Sequence, residues 1–144
     1  MASTREKICT EALTWLKTPY RDHQRCKHAG VDCVNLLAGI CEHIGLTDKV
    51  VLPYYSPQWH LNRSEEVLLQ TLTDFGCIEK PLVDMQPADI LVFHFGLACS
   101  HCAVLMPQNM IIHAVIDREV VMHRLLGVWH NALKHCYTFP GVTP

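Results

Sequence analysis

The sequence predicts an α+β fold in which N-terminal helices pack on a C-terminal antiparallel sheet. Apolar residues recur at helical intervals through the first half of the chain. From Pro81 onward, short runs rich in Val, Ile, Leu and aromatic residues alternate with Pro, Gly or Asn. No repeat, low-complexity tract or linker divides the 144 residues, so a single domain, 1–144, is expected.

Ser3 and Glu6 have the spacing of a capping box, and Ile8, Ala12, Trp15 and Leu16 continue a helical pattern until Pro19 stops it. Gly30-Val31-Asp32 leads into a second helix whose stripe is Cys33, Leu36, Leu37, Ile40 and Ile44, closed by Gly45. Residues 47–61 hold Pro53, Pro57 and several rings, and read as an irregular connection; Tyr54, Tyr55 and Trp59 there are read as packing it down. Asn62 with Glu65 is placed to cap a third helix with an apolar face of Leu68, Leu72 and Phe75, ended by Gly76. Strands are expected at 90–95, 101–106, 110–116, 119–125 and 134–139.

Composition narrows the function classes. With 49% hydrophobic and 18% charged residues the chain has enough apolar material for a core and is not a disordered polymer. The net charge of −2 and the lack of a basic block argue against nucleic acid as a partner. The longest apolar runs fall far short of the ~20 residues that a bilayer-crossing helix needs. The polar N-terminus lacks a secretory signal, so synthesis in the cytoplasm is expected, with the eight cysteines reduced.

Ten histidines and eight cysteines make any single Cys/His pair uninformative. Position singles out Cys33: at a helix N-terminus a thiol meets the positive end of the helix dipole and unpaired N–H groups, which lower its pKa and can hold an oxyanion. His101 and His113 are twelve residues apart, centred on the turn-like Met106-Pro107-Gln108-Asn109, so they should lie nearly opposite each other in one hairpin. If opposed residues sum to an even number, 214 or 216, both rings share a face; an odd sum separates them. In the even register His101 can act as base to Cys33 while His113 orients His101. His123, His130 and His135, spaced by seven and five, are read as surface or partly buried side chains.

These residues lie within blocks that together resemble a known family. Thr18-Pro19-Tyr20-Arg21, Gly30-Val31-Asp32-Cys33, Pro87-Ala88-Asp89-Ile90, Ser100-His101-Cys102-Ala103-Val104 and Met110-Ile111-Ile112-His113-Ala114 occur in the order found in the NlpC family of papain-like cysteine peptidases. The similarity is greatest to the short cell-wall peptidases of bacteriophages and prophages, and runs from the first helix to Tyr137–Gly141. It implies a papain-like fold that hydrolyses amide bonds in peptidoglycan stem peptides, at a D-glutamyl to diaminopimelate type of link, without a cofactor. By the same resemblance Cys33 is the nucleophile, His101 the base and His113 the third polar residue. Tyr20 stands beside the nucleophile to assist the oxyanion or substrate, Asp32 contacts a substrate amine, and Asp89 is structural. It further implies delivery to the cell wall, for example in a virion.

The family's small Ser-Gly pair after the nucleophile is here Val34-Asn35, which puts specificity in question. Two readings of other classes stay open. One is a zinc or redox site built on Cys99-Ser100-His101-Cys102, with His94, Cys26 and His23 or His28 as further ligands. The other is a non-catalytic phage tail component that keeps the peptidase fold and binds tail proteins.

Overall fold

The computed structural model describes residues 2–52, 67–96 and 98–144, with only the backbone described at 98–100. The cap expected at Asn62 and Glu65, and the rings of Tyr54, Tyr55 and Trp59, lie outside the described residues. The order of elements is helices first, sheet second. Helix α1 spans Thr4–Leu13, α2 Cys33–His43 and α3 Val67–Asp74. The strands are β1 (Arg25–Cys26), β2 (Gly30–Val31), β3 (Glu79–Lys80), β4 (Ile90–Phe95), β5 (Ala98–Met106), β6 (Met110–Ala114), β7 (Val120–Arg124) and β8 (Leu133–Tyr137), with a short helix α4 (Val128–Ala132) before the last. Strands β3-β8-β4-β5-β6-β7 form one antiparallel sheet, and β1 and β2 pair separately ahead of α2. The α+β expectation therefore holds.

The Ser3 hydroxyl accepts a hydrogen bond from the Glu6 amide at 3.1 Å, the expected cap of α1. This helix ends at Leu13, earlier than the apolar pattern implies. The Thr14 hydroxyl donates to the Glu11 carbonyl at 2.6 Å, and Lys17 turns left-handed with φ of 71°. Trp15 is buried from this turn and lies against Gly39 of α2, where a Cβ would stand 2.5 Å from the indole. Only glycine permits so close an approach, which offsets its cost of about 1 kcal/mol inside a helix.

Every residue of α2 from Cys33 to Cys41 is buried, the polar Asn35 included, so this helix is enclosed all round rather than on one stripe. It is enclosed by α1, the sheet and α3, whose Ile8, Ala12, Leu68 and Leu72 share its core with Val92, Val104, Ile112 and Ala114. The opposite sheet face packs a second cluster of Leu91, Phe93, Ala103, Leu105, Ile111 and Leu125, with Trp129 of α4 against it. Even and odd residues of β5 and β6 thus serve the two cores in alternation.

Three residues, Pro107–Asn109, join β5 to β6, with Gln108 and Asn109 left-handed at φ of 63° and 59°. The pairs Val104 with Ile112, Leu105 with Ile111 and Met106 with Met110 give the even register, 216. His101 and His113 consequently share a face, that of the second cluster. Asp89, fully buried before β4, holds the start of the sheet to α1. It pairs with Arg5 at 2.9 Å and Lys80 at 2.8 Å, and accepts from the Gln86 amide at 2.8 Å.

Candidate active site

Cys33 is the first residue of α2, and Asp32 is its N-cap. One Asp32 oxygen accepts from the Asn35 amide at 2.8 Å and from the Asn35 side chain at 3.0 Å. The other accepts from the His23 amide at 2.8 Å. Asp32, expected to contact a substrate amine, is buried and bonded through both oxygens to the chain around Cys33. Asn35 in turn accepts from Arg25 Nε at 2.8 Å, and Arg25 pairs with Glu42 at 2.9 Å. The Val34-Asn35 departure has a physical account: Val34 enters the core, and Asn35 ties the cap to a partly buried arginine.

The Cys33 thiol is pulled below the ordinary thiol range, first by a hydrogen bond from Cys102 and then by one from His101, against the opposing effect of burial. Cys102 moves the opposite way, well above the ordinary value, because its hydrogen bond to Cys33 and its burial both favour the protonated form. Its sulfur also lies 3.4 Å from the Cys33 carbonyl oxygen, an alternative acceptor for its one proton. The other buried thiols are inert by comparison, burial raising Cys41, Cys77 and Cys136 to about 12. The first-turn N–H of Cys33 has no acceptor within the helix, so one residue carries both a thiol of lowered pKa and a backbone donor able to hold an anion.

His101 Nε2 lies 2.6 Å from His113 Nδ1. His113 is fully buried, and burial, then the neighbouring imidazoles, push its pKa down to about 2, so it is neutral in ordinary solution. Beyond it, His113 Nε2 lies 2.8 Å from His123 Nε2, and His123 Nδ1 lies 2.9 Å from the Arg124 carbonyl. Trp129 packs edge-on to His113 with ring centroids 4.5 Å apart, and also flanks His101 and His123.

His123 is partly buried, as read from the sequence, but it is also joined to His113, which its spacing to His130 and His135 did not indicate. The spacing that matters runs back ten residues to His113 across the β6–β7 hairpin, whose pairing of Met110 with Arg124 and His113 with Val121 keeps both rings on one face. Trp129 is a second residue that sequence reasoning missed. It comes from a five-residue helix with no recognisable pattern of its own.

Tyr20 is half-buried beside the start of α2, its strand bridged to Val31 and its amide donating to the Arg118 carbonyl at 2.9 Å. Burial, then the nearby Cys33, Asp32 and Asp22, raise the pKa of its phenol, which stays a neutral O–H. Of the imagined zinc ligands, Cys102 faces Cys33 and His94 Nε2 meets the Gly96 carbonyl at 3.2 Å. The side chain of Cys99 lies outside the described residues. Among the described residues no three His, Cys, Asp or Glu side chains are grouped to hold a metal ion.

N-terminal helices packed on a six-stranded antiparallel sheet, with Cys33 at the head of α2, make this an NlpC/P60-like fold. The chain resembles the NlpC/P60 domain of the peptidoglycan hydrolase SagA with a TM-score of 0.66 at 17% identity, covering 94% of this chain and 99% of that one. A Staphylococcus aureus protein of the NLP/P60 family, described as similar to lipoprotein, superposes with a TM-score of 0.67 at 20% identity over 96% of this chain. This chain spans 42% of the length of that relative. The peptidoglycan hydrolase RipB of Mycobacterium tuberculosis gives 0.63 at 14% identity, over 93% of this chain and 63% of RipB. No family model matches the sequence. No curated protein matches it either.

Proposed function

We propose that the protein is a cysteine peptidase that hydrolyses amide bonds in the stem peptides of bacterial peptidoglycan, at a D-glutamyl to diaminopimelate type of link. The observation that carries this reading is the Cys33 thiol, lowered in pKa at the head of α2 and hydrogen-bonded to an imidazole that is itself bonded to a buried neutral His113. The substrate class rests on the similar structures named as peptidoglycan hydrolases. On this reading the place of action is the cell wall.

The Cys33 thiolate attacks the amide carbonyl, and its own N–H, with the neutral Tyr20 hydroxyl, holds the developing oxyanion. Protonated His101 gives its proton to the departing amine, leaving a thioester at Cys33. Neutral His101 then takes a proton from water as its oxygen attacks the thioester, and the thiolate leaves as the acid product forms. Purified Cys33→Ala and His101→Ala proteins are expected to release no peptide fragments from peptidoglycan while keeping the wild-type circular dichroism spectrum. Turnover retained by either variant removes that residue from the chemistry.

A further inference from the structure

We propose that His123 is a positioning residue that sets the tautomer of the whole imidazole chain and so decides which nitrogen of His101 works on Cys33. The inference rests on the peptidase reading for its consequence, but its geometry is independent of substrate. A backbone carbonyl only accepts, so the 2.9 Å contact with Arg124 requires the proton of neutral His123 on Nδ1. His123 Nε2 is then a lone pair, and the 2.8 Å contact makes His113 donate from Nε2. His113 Nδ1 is left as an acceptor, so the 2.6 Å contact makes His101 donate from Nε2. What remains toward Cys33 is His101 Nδ1, unprotonated in the neutral ring and able to take the thiol proton.

While His123 is neutral the chain has a fixed direction, because its far end is a carbonyl and its middle member does not titrate in ordinary solution. His101 and His113 are the titratable groups facing His123 from β5 and β6, Arg124 follows it on its own strand, and α4 offers Trp129, which does not titrate. Without an acceptor at residue 123, His113 is free to carry its proton on Nδ1. His101 Nε2 must then accept, and its Nδ1–H points at Cys33, a neutral ring that cannot take the thiol proton. In a serine peptidase triad a wrong tautomer costs ~10⁴-fold in turnover, which sets an upper bound here.

The experiment combines nitrogen-15 NMR of histidine-labelled protein with the rate of Cys33 alkylation by iodoacetamide between pH 5 and 9. In the wild type His113 is expected to be protonated on Nε2. His123→Phe removes the acceptor and is expected to populate the Nδ1–H form of His113 and slow low-pH alkylation by about tenfold or more, within the bound above. His123→Gln, whose amide oxygen accepts from His113, is expected to restore both readouts, which bulk or packing alone would not do. His113 protonated on Nδ1 in the wild type overturns the proposal before any variant is made. An unchanged tautomer and rate in His123→Phe overturn it as well. A wild-type Cys33 with ordinary thiol reactivity defeats the peptidase reading instead, while the tautomers still report on His123.

Discussion

A thiol becomes a nucleophile when its surroundings favour the anion over the neutral group, and burial alone works against that. At Cys33 the balance is reversed by two donors, Cys102 and His101, and by the head of α2. Cys102 is the unusual partner: a second thiol, fully buried, held protonated and so available to donate. Replacing it with alanine deletes the donor without adding charge. Cys102→Ala is therefore expected to raise the Cys33 pKa and slow its alkylation at pH 6 much more than at pH 9, whereas Cys102→Ser, which keeps a donor, preserves the low-pH rate. Equal slowing at both pH values would mean that Cys102 acts only by filling space. The place of Cys33 at the head of α2 is legible from the sequence alone, because an N-terminal helix stripe preceded by Gly-Val-Asp is a local signal. Cys102 carries no such signal, since its part depends on which face of β5 meets α2.

At the scale of elements, α2 and the β5–β6 hairpin determine where the chemistry sits. The hairpin is legible by counting: His101 and His113 flank one turn, and three linking residues leave an even register. Its parity is not legible, because a two-residue turn using the same Gln108 and Asn109 would send the rings to opposite faces. The end of α1 is not legible either, because Trp15 and Leu16 are apolar at helical spacing yet bury themselves from a turn. Helix α2 depends on Asp32, whose two oxygens satisfy three donors. The same carboxylate opposes the thiolate by its charge. Asp32→Asn keeps an oxygen for the Asn35 amide but leaves the His23 amide facing a donor, at a cost of about 1 to 3 kcal/mol. The expected outcome is split in sign: urea unfolding shows lower stability, while Cys33 alkylates faster at low pH. A slower low-pH reaction with α2 intact would show that the aspartate charge does not act on the thiol.

Across the whole molecule, two apolar cores on opposite faces of one sheet meet the polar chain at its β5–β6–β7 end, and the buried imidazole couples that chain to folding. His113 has an ordinary value of 6.5 and is pushed to about 2 when folded. The unfolded chain therefore binds a proton as pH falls below 6.5 and the folded chain does not. Stability contributed by keeping this ring neutral is complete above that value and declines as pH falls toward 2, at up to about 1.4 kcal/mol per pH unit. His113→Asn removes this titration while offering an oxygen to His101. Wild type and variant unfolded in urea from pH 7.5 to 4.5 are expected to give curves that converge as pH falls, the wild type losing about 1.4 kcal/mol more per unit below pH 6. Parallel curves would mean that His113 takes up its proton in the folded state, and the neutral middle of the chain, on which its direction depends, would then be lost.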